Sequence, residues 1–112
     1  MVNRTSLREL DDEQLQETAT ARRRIDLAEQ YIDYYRSRMR LVAESFYELS
    51  AHEGIADDPE FRSALQRVTD AADENTRNAG RVIADLEDDY DAMTARHAAE
   101  REHLIAQQRE NS

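Results

Sequence analysis

Turn-forming and cross-linking residues are scarce in this sequence of 112 residues, which has 2 glycines, 1 proline and 0 cysteines. Without cysteine there can be no disulfide framework and no thiolate metal site. So few turn formers exclude an all-β fold built from many short elements. The length suits one small domain.

Long apolar runs and a basic surface are also missing. No stretch approaches the roughly 18 apolar residues of a membrane span, and the opening residues do not resemble a signal peptide. The net charge is -10, whereas binding to nucleic-acid phosphates or anionic membranes needs positive charge. We therefore expect a cytoplasmic protein that neither binds nucleic acid nor inserts into a membrane. Export together with a partner is the alternative.

Lysine is absent as well, so all 15 basic residues are arginine. A GC-rich coding bias and a salt-adapted acidic surface would each explain this composition. Charged residues make up 36% of the chain, and such a proportion is typical of long helices and coiled coils. Disorder is the rival interpretation of so much charge, but the apolar periodicity of the chain argues against it.

The first half of the chain has a heptad pattern of apolar residues. It predicts a helix over about 7–52 that begins at the capping box Ser6-Leu-Arg-Glu9. Toward its start the pattern becomes polar, at Gln14 and Asp11. The line of residues that this helix should bury, called the seam below, consists of Ile25, Ala28, Ile32, Tyr35, Met39, Val42, Phe46 and Leu49.

A turn over residues 53–58 and a second helix over about 59–109 follow. Gly54 can take the left-handed conformation that ends a helix, and Asp58 can cap the next one. Pro59 suits the first helical position. The predicted seam of the second helix consists of Phe61, Leu65, Val68, Ala72, Asn75, Ala79, Val82, Leu86, Tyr90, Met93, His97 and Leu104.

Two positions on the second helix need an explanation of their own. Asn75 is polar on an apolar seam, so it either fixes the register or is merely tolerated there. Gly80 costs about 1 kcal/mol relative to alanine in a helix. Because Gly80 follows the small Ala79, we expect a close approach of the two helices as its reason.

A connection this short makes two long helices antiparallel neighbours. Phe46 would then lie opposite Leu65, and Ile32 opposite Ala79. We therefore expect an all-α fold: a long antiparallel two-helix hairpin, like a coiled coil, that forms a single domain over residues 1–112. So small a core is marginal, and we expect the hairpin to complete a helical bundle with a partner or a second copy.

A second set of large side chains lies off the seam of the first helix. It consists of Leu27, Tyr31, Tyr34, Leu41 and Tyr47. Leu27, Tyr34 and Leu41 recur every seven residues, which favours a helical partner. Tyrosine is also enriched at protein interfaces. We expect this set to bind a protein; tyrosines that lie flat on a wet surface are the alternative.

Catalytic motifs are absent: the sequence has no phosphate-binding loop and no nucleophile elbow. Glu100-x-x-His103 has the spacing of di-iron carboxylate bundles, although a solvated charged face has the same pattern. We expect no catalytic residue, no metal and no cofactor, and therefore no enzyme. His97 should cover the end of the seam, and His52 should act as a charge near a helix C-terminus.

The second half of the chain reads FRSALQRVTDAADENTRNAGRVIADLEDDYDAMTARHAAEREHL over residues 61–104. With the hairpin, it resembles the WXG-like superfamily of type VII secretion, and within it the small helical targeting partners of LXG toxins. The turn has no Trp-x-Gly, and Tyr90 is followed four residues later by Thr94 rather than by the acidic residue of the export signal. The resemblance implies an adaptor or chaperone that binds a toxin's helical N-terminal region, with a second small hairpin protein as a further partner.

A second resemblance is to encapsulated ferritins, which are also two-helix chains. DPEFRSALQRV, over residues 58–68, is similar to the start of their helix after the turn. The stretch AADENTRNA stands where those proteins have a Glu-x-x-His. A structural homodimer and a ferritin-like di-iron protein are therefore the alternatives to a helical adaptor.

Overall fold

The computed structural model describes residues 6–111, and over this range it contains two long α-helices and no strand. Helix α1 spans Leu7–Glu53 and helix α2 spans Pro59–Glu110, with 47 and 52 residues. The predicted all-α helical hairpin is confirmed. Neither helix, over its described residues, contains a stretch long and apolar enough to cross a membrane.

The first turn of α1 is capped by Ser6. The backbone N–H of Glu9 donates a hydrogen bond to Ser6 Oγ at 3.3 Å, and the N–H of Leu10 donates to the Ser6 carbonyl at 3.2 Å. A serine side chain in this place satisfies a donor that has no partner inside the helix. The acidic side chain of Glu9 also lies next to the positive end of the helix dipole.

Helix α1 ends in a Schellman motif around Gly54. This glycine has a φ of 74°, a backbone conformation that suits glycine because it has no Cβ. The N–H of Ile55 donates to the Ser50 carbonyl at 2.9 Å, and the N–H of Gly54 donates to the Ala51 carbonyl at 3.3 Å. These two bonds satisfy carbonyl groups that the end of the helix would leave free.

Helix α2 begins with Asp58 as its cap. Asp58 Oδ1 accepts hydrogen bonds from the N–H of Glu60 at 2.8 Å and from the N–H of Phe61 at 3.4 Å. Pro59 occupies the first helical position, where its missing N–H removes no bond. The turn is therefore specified by short-range interactions that the sequence already indicates.

The contacts of the chain divide it into two compact units. The terminal unit combines the chain up to Leu27 with the chain from Ala84 onward. The turn unit consists of residues 28–83 and includes the connection between the helices.

The terminal unit has an apolar core of its own. Leu10, Ile25 and Leu104 are buried in it, and His97 is buried beside them. The Gln14 side-chain amide donates to the His97 carbonyl at 2.9 Å, so these two residues lie opposite each other on the antiparallel helices. Gln14, a polar residue at the start of the predicted seam, therefore forms a hydrogen bond to the opposite helix.

The turn unit buries much less. Among its described apolar residues only Ile32 is fully buried, and the other buried side chain is Ser50. The Asn75 side-chain amide donates to Tyr35 Oη at 3.1 Å across the helix pair. Asn75 itself is exposed, so it holds Tyr35 from the edge of the seam rather than from within it.

From Ala72 onward, two residues of the predicted seam of α2 lie beside the buried line rather than on it. Thr76 and Ile83 are half-buried, whereas their neighbours Asn75 and Val82 are exposed. With Thr76 and Ile83 the line keeps an unbroken heptad spacing from Ala72 to Leu104. Hydrophobicity alone favoured Val82. Burial depends instead on which side of α2 faces α1, and Ile83 rather than Val82 lies on that side.

The predicted seam also needs correction at Phe46, Leu49 and Val68, which are all exposed. At the end of α1 the buried position is Ser50, with 1% of its surface exposed, while Leu49 is 58% exposed. The physical reason is that each helix of a pair has one neighbour and buries only a narrow strip. Tyr35, Met39, Val42, Phe61, Leu65 and Leu86 are half-buried.

Helix α2 passes through Gly80 without a break. A Cβ atom placed on Gly80 would meet nothing within 4 Å. The expected close approach of the helices at this glycine is therefore wrong, because the space around Gly80 is open.

Candidate interaction surface

Large apolar side chains are exposed throughout the turn unit. Between 42% and 70% of their surface is accessible to solvent. These residues are Tyr31, Tyr34, Leu41, Phe46, Tyr47, Leu49, Ile55, Val68 and Val82. Contiguous exposed apolar surface of this kind marks interaction sites in soluble proteins.

Small residues on α2 are one reason for this exposure. Ala72, Thr76 and Ala79 lie on the buried line of α2, and they face the large residues of α1. A methyl or hydroxyethyl group cannot cover a tyrosine or phenylalanine ring, so open grooves remain beside the helix contact.

The first groove lies between the two helices and has a volume of about 250 Å³. Met39, Val42 and Phe46 line it from α1, and Leu65 and Val68 line it from α2. Its wall is mainly apolar, and it is open along its length to solvent. We use the name first groove for the groove lined by Met39, Val42, Phe46, Leu65 and Val68.

The second groove adjoins the first and is formed by α1 alone. Leu41, Val42, Phe46 and Leu49 line it, with a volume of about 350 Å³. Because Val42 and Phe46 belong to both grooves, the two form one continuous apolar surface on the turn unit. A third groove of about 200 Å³ lies beside Tyr31 and Tyr35. We call the first and second grooves together the docking surface.

The five residues predicted to contact a partner lie at different positions on the helices. Leu41 lines the second groove and Tyr31 lines the third. Tyr34 and Tyr47 are exposed on α1 of the same unit, and Leu27 is an exposed residue of the terminal unit. Exposure suits the predicted role of all five, and that role remains a prediction.

Sequence reasoning assigned Phe46, Leu49 and Val68 to the hairpin seam, and it missed them as surface residues. A heptad pattern does not show whether an apolar residue is covered by one neighbouring helix or needs a second. The short side chain of Ala72, which lines the first groove together with Phe46, was the available signal.

Arginine side chains border both grooves. Arg36 and Arg40 line the first groove, and Arg38 lines the second. Among the described residues, none of these three forms a hydrogen bond or an ion pair through its side chain. In the terminal unit Arg22 pairs with Asp26 at 3.5 Å and Arg101 with Asp11 at 3.0 Å, whereas Arg23 and Arg24 form no ion pair among the described residues. Asp73 also lines the first groove, so the lining of the two grooves carries three positive charges and one negative charge.

Glu100 and His103, the two residues with metal-ligand spacing, differ in their surroundings. Glu100 lies 3.8 Å from Arg96, and His103 is exposed. Within the part of the chain that the structure describes, no group of three or more acidic, histidine or cysteine residues could hold a metal ion. His97 Nε2 lies 2.9 Å from Glu17 Oε2, so the buried histidine has a hydrogen-bonding partner in its own unit.

The chemistry of the chain is therefore concentrated in one apolar surface with an arginine border. No protein-family model, curated protein or solved structure matches this chain in comparisons with known proteins.

Proposed function

We propose that this chain is a non-enzymatic interaction protein that binds a helical segment of a partner protein on the docking surface. The observation behind this proposal is the difference between the two units. The terminal unit buries Leu10, Ile25 and Leu104, whereas the turn unit fully buries one apolar side chain and exposes most of its large ones.

A helix suits the docking surface better than an extended peptide. An added strand needs the free backbone groups of a sheet edge, and the described chain has no sheet. An amphipathic helix instead places apolar side chains into a groove between helices. Such a helix would cover Phe46, Leu49 and Val68 and would complete the turn unit as a small bundle.

The resemblance to targeting partners of LXG toxins gives the proposal its finer form. In this form the chain is an adaptor or chaperone that holds the helical N-terminal region of a toxin for type VII export. A structural homodimer is the second candidate, since another copy could also cover the exposed apolar surface.

Leu41→Glu tests the surface, and Leu15→Glu is its matched control. Both leucines are exposed residues of α1, but Leu15 lies in the terminal unit. We expect Leu41→Glu to weaken binding to a partner recovered from the native cell by about 1–3 kcal/mol, because the substitution places a carboxylate in an apolar groove. Isothermal titration with the purified partner measures this change, and circular dichroism should show equal helix content in both variants.

Equal affinity of the wild-type chain and the Leu41→Glu variant would contradict the proposed surface. Loss of binding in Leu15→Glu alone would instead place the partner's contact on the terminal unit. If the wild-type chain recovers only itself, and Leu41→Glu dissociates it, the homodimer is the correct candidate.

A further inference from the structure

The charge around the docking surface restricts which helix can bind there. The sequence has no acidic residue between Asp33 and Glu44, and Arg36, Arg38 and Arg40 all lie in that interval. At about 100° per residue, Arg38 projects from the opposite side of α1 to Arg36 and Arg40. Their placement at different grooves agrees with this geometry.

These guanidinium groups are distinguished by where they lie, at the docking surface of a chain whose net charge is -10. Other arginines, such as Arg23, Arg24, Arg62 and Arg67, also form no ion pair among the described residues. Arg38 has no acidic residue three or four positions away on its helix, whereas Arg36 has Asp33 and Arg40 has Glu44 at such a spacing. None of the three arginines forms an ion pair among the described residues. With Asp73 as its one acidic residue, the lining of the two grooves is net positive on an otherwise acidic protein.

A second copy of this chain is a poor occupant of the surface. A two-fold dimer would place the same patch on both sides of the interface. Arginines that border one docking surface would then approach the same arginines of the other copy, and like charges at an interface disfavour association. The terminal unit of a second copy is also unsuitable, because its exposed large apolar residues, among those that the structure describes, are only Leu15 and Leu27.

We propose that the occupant is an acidic amphipathic helix of another protein, with an apolar stripe for the grooves and aspartate or glutamate on its flanks. This inference rests on the proposed function and adds the chemistry of the partner. Carboxylates can form charge-assisted hydrogen bonds with guanidinium groups. Complementary charges also fix the register of a docked helix and exclude wrong partners.

Synthetic helical peptides of about three heptads test the inference. All have the same leucine and phenylalanine stripe, and their flanks are glutamate, lysine or only glutamine. We expect the full-length chain to bind the glutamate peptide about tenfold or more tightly than the glutamine peptide, and the lysine peptide more weakly than either. The preference for glutamate should decrease at high salt, because salt screens exposed charges.

Two triple variants identify the source of this preference. Arg36→Gln/Arg38→Gln/Arg40→Gln should remove it. Arg22→Gln/Arg23→Gln/Arg24→Gln removes the same charge from the terminal unit and should keep the preference. If the second triple variant loses the preference equally, overall charge rather than the arginine border is responsible, and the inference is overturned.

The remaining outcomes separate this inference from the proposed function. If all three peptides bind equally and Leu41→Glu weakens each of them, the surface binds helices without regard to charge, so only the inference fails. If no peptide binds, the inference fails too, and titration of the native partner with the Leu41→Glu and Leu15→Glu variants then decides the proposed function independently. Reversible dimerisation of the wild-type chain that Leu41→Glu abolishes would overturn the inference in favour of a second copy.

Discussion

Single residues in this protein have effects that depend on backbone conformation as much as on neighbours. Gly54 and Gly80 both lack neighbours within 4 Å of a Cβ position, yet only Gly54 has a positive φ. An added methyl group at Gly54 would strain the backbone, because L-residues disfavour that conformation. Gly80 lies within a helix, and an added methyl group there would enter open space.

We therefore expect opposite effects from one substitution at the two glycines. Gly54→Ala should lower the free energy of unfolding by about 1–2 kcal/mol, because of the left-handed conformation. Gly80→Ala should raise it by up to about 1 kcal/mol, because alanine has the higher helix propensity. Urea unfolding followed by circular dichroism measures both, with Gly54→Asn as a control that tolerates positive φ. A stabilising Gly54→Ala would contradict the Schellman ending of α1.

At the scale of the elements, both helices have well-defined ends and a narrow buried strip. Ser6 and Asp58 cap the helix N-termini, and Gly54 closes α1. Between these ends the buried positions follow a heptad spacing, which on α2 passes through Thr76 and Ile83. The neighbouring residues Asn75 and Val82 lie outside the strip, although they are one position away along the chain.

The position of the buried strip on α2 predicts a difference between adjacent residues. Ile83→Ala should lower the free energy of unfolding by about 1–2 kcal/mol, because the half-buried side chain leaves a gap in the packing. Val82→Ala should change it by less than about 0.5 kcal/mol, because Val82 is 57% exposed. Thermal and urea unfolding compare the two variants at equal concentration. Equal destabilisation, or the reverse order, would support the sequence-derived seam over the structural one.

The protein as a whole combines one unit that buries its apolar residues with one that exposes them. The terminal unit holds Leu10, Ile25 and Leu104 in its core, and ion pairs such as Arg101 with Asp11 lie at its surface. The turn unit has grooves bordered by Arg36, Arg38 and Arg40. A division of this kind suits an interaction protein in which one unit supplies stability and the other supplies the binding surface.

Self-association gives a test at this scale. We expect the melting temperature of the purified chain to be independent of protein concentration, because arginine would oppose arginine in a symmetric dimer. The variant Arg36→Gln/Arg38→Gln/Arg40→Gln lacks this charge repulsion, so two copies can associate through the apolar surface. The melting temperature of this variant should therefore rise with protein concentration. Scanning calorimetry at several concentrations measures both. A wild-type melting temperature that rises with concentration would indicate the structural homodimer instead.

The sequence by itself determined the two helices, their ends and their antiparallel pairing. Helix caps and the glycine ending act over a few residues, and a heptad pattern is a property of the chain, so Ser6, Asp58 and Gly54 could be identified without a structure. The expectation that Tyr31, Tyr34 and Leu41 lie off the seam came from the same periodicity.

Only the tertiary structure decided which apolar residues remain exposed. Burial depends on the size of the residue opposite and on the number of neighbouring helices, and neither is a local property of the chain. Phe46 and Leu49 fit the heptad pattern as well as Ile32 does, but they remain exposed because α2 covers only a narrow strip of α1 and the described residues form no third helix. The same packing brings Arg36, Arg38 and Arg40 to the edges of two grooves, which their positions in the sequence alone do not reveal.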